Sequence, residues 1–148
     1  MEMRSNIIIN FNITKDFMAE GIVSVASDDG FDIVLTRAIK AIEKRNISIF
    51  AVIDHKKNAA DKGMGMNDAT VILFGSPEAG TKLMQEKLGI AIDLPLKLLV
   101  SNEDGKTMLS YYDPMHLAKE HKIDRNLDVI NKVSGLLNAI VMEAAGKA

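Results

Sequence analysis

The sequence predicts an α+β domain: an antiparallel or mixed sheet of four to six strands, helices packed mainly on one face, and a long helix at the C-terminus. Three observations carry this. Short runs rich in Val, Ile, Leu, Phe and Tyr, at 22–27, 47–53, 69–74, 92–100 and 106–112, have strand length and end in turn residues. Two other stretches, 31–42 and 127–144, repeat apolar residues at helical three- and four-residue steps. Several strand runs also follow one another without a full helix between them, which favours antiparallel neighbours over a wound parallel sheet.

In chain order, 6–12 is read as a short strand and 16–20 as a brief helical turn before Gly21. Ile22 to Ser27 suits a strand, and Ser27-Asp28-Asp29-Gly30 supplies turn and cap residues. In the helix that follows, Phe31, Val34, Leu35, Ala38, Ile39 and Ile42 share one face, while Lys40, Lys44 and Arg45 lie opposite or in the last turn, where they complement the helix dipole. Asn46 stands where a left-handed closing residue belongs. A strand at 47–53 leads to the polar stretch 54–68, the longest loop or loop-plus-turn in the reading. Ala69 to Phe74 lacks polar residues apart from Thr70 and reads as a strand buried on both faces.

Ser76, Pro77 and Glu78 form a cap, a first helical residue and a first-turn acid, predicting a helix from Pro77 to about Leu88 that Gly89 closes. The run 92–100 reads as a strand whose Pro95 marks an edge or a bulge, since proline donates no ladder hydrogen bond. Asn102-Glu103-Asp104-Gly105 turns the chain into a hairpin partner at 106–112. Asp113-Pro114 caps a short helix through His121, and the last helix occupies about 126–145. With 148 residues and no linker in sight, one domain over 1–148 is expected.

Composition narrows the function classes. The 47% apolar and 26% charged residues fit a packed core, and no apolar span approaches the ~20 residues of a membrane helix. With no cysteine there is no disulfide, thiolate site or cysteine nucleophile, which fits a reducing, cytoplasmic setting. A net charge of −2 with only small basic clusters argues against a nucleic-acid partner. Gly63-x-Gly65 is not a dinucleotide fingerprint, because the third glycine is missing. Of the nine methionines, Met64, Met66, Met84, Met108 and Met142 fall at positions that fit core packing and are read as filler.

Five blocks occur in one order: Ile53-Asp54-His55; Asn58-Ala59; Phe74-Gly75-Ser76-Pro77 with Gly80-Thr81 and Leu83-Met84; Asp93-Leu94-Pro95-Leu96-Lys97; and Tyr111 with Asp113-Pro114. Over about 21–123 this resembles the signature of domain of unknown function family 302. The resemblance implies a TATA-binding-protein-like α+β sheet, assembly as a homodimer, and no settled activity. The chain departs from that pattern at Ser76, where asparagine is usual, and at Tyr112, where a small polar residue is usual. The first twenty residues and the last helix lie outside the resemblance, and the helix is taken as a packing or dimer element.

The expected site gathers Asp54, His55, Ser76, Thr81, Asp93, Lys97 and Tyr111 around one cleft at the ends of the central strands. His55 is the candidate metal ligand, for a divalent ion, because imidazole titrates near neutrality and ligates metals readily. Its competing role, with Asp54, is structural capping. His116 and His121, five apart, are poorly aligned for a shared metal. Phe74 to Thr81 could cradle an anion at a helix start, or Ser76 could simply cap it, with Phe74 in the core. Asp93 and Lys97 fall on one strand face, as an acid-base set with His55 or as an outward ion pair. Three functions follow: a homodimeric module binding a small molecule or metal ion; a hydrolase or isomerase using His55 with Asp93; and a structural partner with an exposed apolar stripe on its last helix.

Overall fold

A computed structural model describes residues 19–148. The strand expected at 6–12 lies outside the described residues, as does most of the turn expected at 16–20. Among those described, the strands are β1 (Ile22–Ser27), β2 (Ser48–Asp54), β3 (Ala69–Gly75), β4 (Leu96–Glu103) and β5 (Lys106–Tyr112). The helices are α1 (Phe31–Glu43), α2 (His55–Ala60), α3 (Pro77–Glu86), α4 (Pro114–Glu120) and α5 (Leu127–Ala145), with a 3-10 segment at Leu88–Asp93. The sheet order is β1-β5-β4-β3-β2, and every neighbouring pair is antiparallel.

Helices α1 and α5 cover one face of this sheet. Val34, Ala38, Ala41 and Ile42 of α1 and Leu137, Ile140, Val141 and Ala144 of α5 pack onto Val25, Ile72, Phe74, Leu98, Val100 and Leu109 of the strands. The apolar stripe of α5 is therefore used within its own chain. It packs within the chain and is not the exposed apolar stripe expected of a structural partner. A second cluster, Leu83, Ile90, Ala118, Ile123, Val129 and Ile130, joins α3, the 3-10 segment, α4 and the start of α5 beside the sheet.

Most junctions follow their turn chemistry. Asn46 closes α1 at φ 57, and Asp104 and Gly105, at φ 53 and 85, form the two-residue hairpin turn that requires positive φ at both positions. Ser76 and Asp113 each cap a helix that opens with proline. The N-cap of α1 is Gly30, without a side-chain bond; Ser27 instead accepts from the Asp29 N–H at 3.1 Å and donates to the Ala145 carbonyl at 2.9 Å, tying β1 to the end of α5.

Three expectations change. The stretch 54–68 is not all loop, because Asp54 nucleates the six-residue α2. Strand β3 is buried alternately rather than on both faces, since helices cover one side of the sheet only. The helix expected to reach Leu88 ends at Glu86, and 88–93 wind into 3-10 turns instead of opening a strand. Pro95, in a cis peptide with Leu94, stands just ahead of β4. That strand is central, so a proline inside it would break the ladder to a neighbour; placed before Leu96, it breaks nothing.

Edge strand β2 pairs with β3 through a register shift between Ile49 and Ala51, which leaves Phe50 as an extra, half-exposed residue.

Candidate functional site

The pairing registers divide the expected site between opposite ends of the sheet. Asp54 lies opposite Thr70, where β3 begins, whereas Leu96 lies opposite Phe74, where β3 is ending. Four strand steps, about 13 Å, separate these levels, and the chain leaves the sheet in opposite directions from them. Asp54 and His55 therefore stand at one end and Ser76, Thr81, Asp93 and Lys97 at the other, while Tyr111, next to the Ser110 that pairs with Leu99, sits nearer the middle of the sheet.

At the first end the chemistry is capping. The Asp54 carboxylate accepts the Lys57 N–H at 2.9 Å, satisfying an open donor of α2. His55 is the exposed first residue of that helix. Its neighbours form surface pairs, Lys57 with Asp61 at 3.2 Å and Lys56 with Asp68 at 3.5 Å, which solvent screens. Among the described residues no group of three His, Asp or Glu side chains is placed to hold a metal ion, so His55 has no companion ligands there.

The other end is hollow. A cavity of about 770 Å³ opens between the Gly75 end of β3, helices α3, α4 and α5, and the turn before β4. Its walls are apolar: Leu83 and Met84 from α3, Ile90 and Leu94 from the 3-10 segment and the turn after it, Leu117 from α4, and Ile130 and Val133 from α5. The sequence builds this space by removing side chains where elements converge. Around Gly75 the nearest atoms to where a Cβ would sit, from Phe50, Pro95 and the Leu96 backbone, stand at an ordinary 3.9–4.0 Å. Ala79 and Gly80 keep the inner face of α3 small. Ser76 and Thr81 border the cavity, but the Ser76 hydroxyl already accepts the Ala79 N–H at 3.3 Å.

Asp93, Lys97 and Tyr111 do not form the expected set. Asp93 pairs with His121 rather than His55: its Oδ2 stands 2.6 Å from His121 Nε2. The Lys97 ammonium donates to the carbonyls of Asp93, at 3.4 Å, and Pro95, at 3.0 Å, so it fastens the turn before β4 and makes no ion pair with the Asp93 carboxylate. Tyr111 is buried in the core, where desolvation, reinforced by the negative charge of Asp113, pushes its phenol up to about 12. It is a neutral packing residue at physiological pH.

Two polar ties hold the cavity walls in place. The Asp93–His121 bond links the 3-10 segment to the end of α4. Glu86, the last residue of α3, accepts the N–H groups of Asp124 at 2.7 Å and Arg125 at 3.0 Å and the Asn126 amide at 2.8 Å. These bonds, that from Asp124 foremost, bring its carboxyl down to about 2 and fix α3 to the loop that starts α5.

Sequence reasoning passed over His121 as the partner of Asp93, because the two are 28 positions apart and meet only through tertiary packing. It also missed Lys132 of α5, a cationic residue on the cavity border. The available signal was its place one turn before Leu136 on the same helix face, Leu136 being another lining residue.

Comparison with known proteins fits this picture of a fold without an assigned chemistry. The family model described as "Domain of unknown function DUF302" matches residues 23–140, so it includes most of α5, beyond the 21–123 of the sequence resemblance. The chain is 30% identical over 132 residues, 88% of its length, to a protein named fluoride-specific ion channel FluC 1 of Brucella suis biovar 1 (strain 1330), of which it covers 52%. A protein of the same name from Brucella abortus biovar 1 (strain 9-941) is likewise 30% identical, with 49% covered. The chain thus spans about half the length of the curated relatives it matches. A crystal structure of an uncharacterized conserved DUF302 protein from Bacillus stearothermophilus superimposes with a TM-score of 0.75 at 18% identity, covering 85% of this chain and 99% of that one, a likeness of fold.

Proposed function

Starting from a chain that belongs to the DUF302 family, whose description assigns no activity, we propose that it is a binding module for a small, largely apolar molecule held in the cavity at the Gly75 end of the sheet. The observation that carries this is the cavity itself. At about 770 Å³ it falls within the roughly 300–1,000 Å³ range of small-molecule pockets, and its walls are apolar with a few polar groups at the border, as such pockets are.

Gly80 supports the reading. A Cβ there would meet only Leu94 Cδ1 and Met84 Cε, both at an ordinary 3.8 Å, so alanine fits and would favour the helix more. A glycine at such a position costs stability and keeps space. The same 3-10 segment that turns Ile90 inward leaves Leu88 77% and Ile92 82% exposed, extending apolar surface outward from the wall.

The hydrolase or isomerase reading needed His55 beside Asp93, and these lie at opposite ends of the sheet. The channel activity of the Brucella relatives is named for proteins about twice as long. No helix among the described residues is long and apolar enough to cross a membrane. Neither reading is adopted.

The test is a thermal-shift screen of medium-chain and aromatic apolar compounds beside divalent metals, nucleotides and inorganic phosphate. Apolar compounds should raise the melting temperature, by mass action on the folded state, and Gly80→Leu, which fills the cavity, should abolish the rise. A flat response to every apolar compound, or a full response in Gly80→Leu, would overturn the proposal.

A further inference from the structure

One charged residue lies on the cavity border. Lys132 sits on α5 one turn before Leu136, which also lines the cavity. Being unpaired does not set Lys132 apart, since Lys40, Lys62, Lys82, Lys87, Lys119, Lys122 and Lys147 also form no ion pair among the described residues; its place on the cavity border does. Among the described residues Lys132 forms no ion pair or side-chain hydrogen bond, and the Thr81 hydroxyl, on the same border, forms none either. A lysine can lay its methylene stem along an apolar wall while its ammonium stays in water, which puts a positive charge, with Asp128 one helical turn away, at the opening of an otherwise uncharged pocket.

We infer that the ligand is an anionic amphiphile, with a hydrocarbon body inside the cavity and a carboxylate or phosphate head at its mouth paired with Lys132. The inference rests on the binding reading above and adds the chemical class of the ligand. The apolar walls select the body and are indifferent to the head. Lys132 selects the head, because a charge-assisted bond to an anionic oxygen is available there and a cationic head would be repelled. The Thr81 hydroxyl supplies a second, neutral donor. Since Lys132 is exposed, the pair is screened by solvent and its contribution is modest and salt-dependent.

Titration calorimetry with decanoate, decyl phosphate, decanol and decyltrimethylammonium, against the wild type and Lys132→Met, tests this. Methionine keeps the apolar stem and removes the charge at an exposed position, so the variant should melt with the wild type. Decanoate or decyl phosphate should bind about three- to fivefold more tightly than decanol, a preference that fades with added salt and vanishes in Lys132→Met while decanol is unaffected. The stronger of the two anions then tells a carboxylate head from a phosphate head. Equal binding of decanol and both anions, or a preference that survives in Lys132→Met, overturns the anionic class while the apolar site stands. Binding of none of the four overturns both.

Discussion

The two ends of the sheet differ in a way that residue types alone misrepresent. The Asp54 end is dense in groups that titrate, with Asp54, His55, Lys56, Lys57, Asp61 and Asp68 within fifteen positions, yet Asp54 caps a six-residue helix, the lysines and the other two aspartates pair on the surface, and His55 is exposed. The Gly75 end is dense in residues with little chemistry of their own, Gly75, Ala79, Gly80, Leu83 and Leu94, and it is there that the fold leaves a hollow. Reactive side chains in a short polar stretch are cheap to solvate and need no site around them. A cavity has to be held open against close packing, so the elements around it are fixed by ties such as Asp93–His121 and Glu86 with the 124–126 loop.

This contrast can be broken or sharpened by substitution. The largest effect is expected at Phe74, fully buried where the cavity end meets the core. Phe74→Ala should lower the unfolding free energy by about 3–5 kcal/mol in urea denaturation. Asp93→Asn, which weakens the tie to a partly exposed His121, should cost about 1 kcal/mol and loosen amide exchange in 88–94 more than elsewhere. Gly80→Ala should add about 0.5 kcal/mol of stability while weakening any apolar ligand, opposite signs that a purely structural glycine would not give.

Glu86 provides a test by pH. Its carboxyl titrates at about 2 in the folded chain against an ordinary 4.5, so its stabilisation is complete above that ordinary value and lost as pH falls toward 2. Glu86→Gln should flatten the acid side of the stability profile in that window, and an unchanged slope would show that the loop does not depend on the carboxylate. The smallest effect is expected at the other end. His55→Ala should change stability by less than about 0.5 kcal/mol and leave cavity ligands untouched. A loss of binding in that variant would undo the division between the two ends.

Much of the architecture was legible because it rests on local chemistry. Asn46, Asp104-Gly105, Ser76-Pro77 and Asp113-Pro114 each mark a boundary through a backbone conformation or a cap that few other residues provide, and the structure uses all of them. The segment 88–93 was misread because Leu-Gly-Ile-Ala-Ile is apolar without a period, and strand, helix and 3-10 turn suit it equally until Pro95 fixes where β4 begins. The candidate site was half legible. Ser76 and Thr81 border the cavity, but sequence reasoning placed Asp54 and His55 with them because Asp54 and Ser76 both stand at strand ends. Neighbouring strands in this sheet are antiparallel, so β2 and β3 end on opposite sides. Whether a strand end belongs to a site depends on direction, which side-chain patterns do not encode.

The unpaired Phe50 on β2 has a bearing on how the protein behaves in a crowded solution. An edge strand of seven residues with a regular ladder is a template onto which a neighbouring molecule can add a strand, and such additions propagate into aggregates. The extra residue interrupts the pattern of donors and acceptors midway, so an incoming strand in register with one half is out of register with the other. Deleting Phe50 would straighten that edge, and the shortened chain should be more prone to form fibrils than the parent.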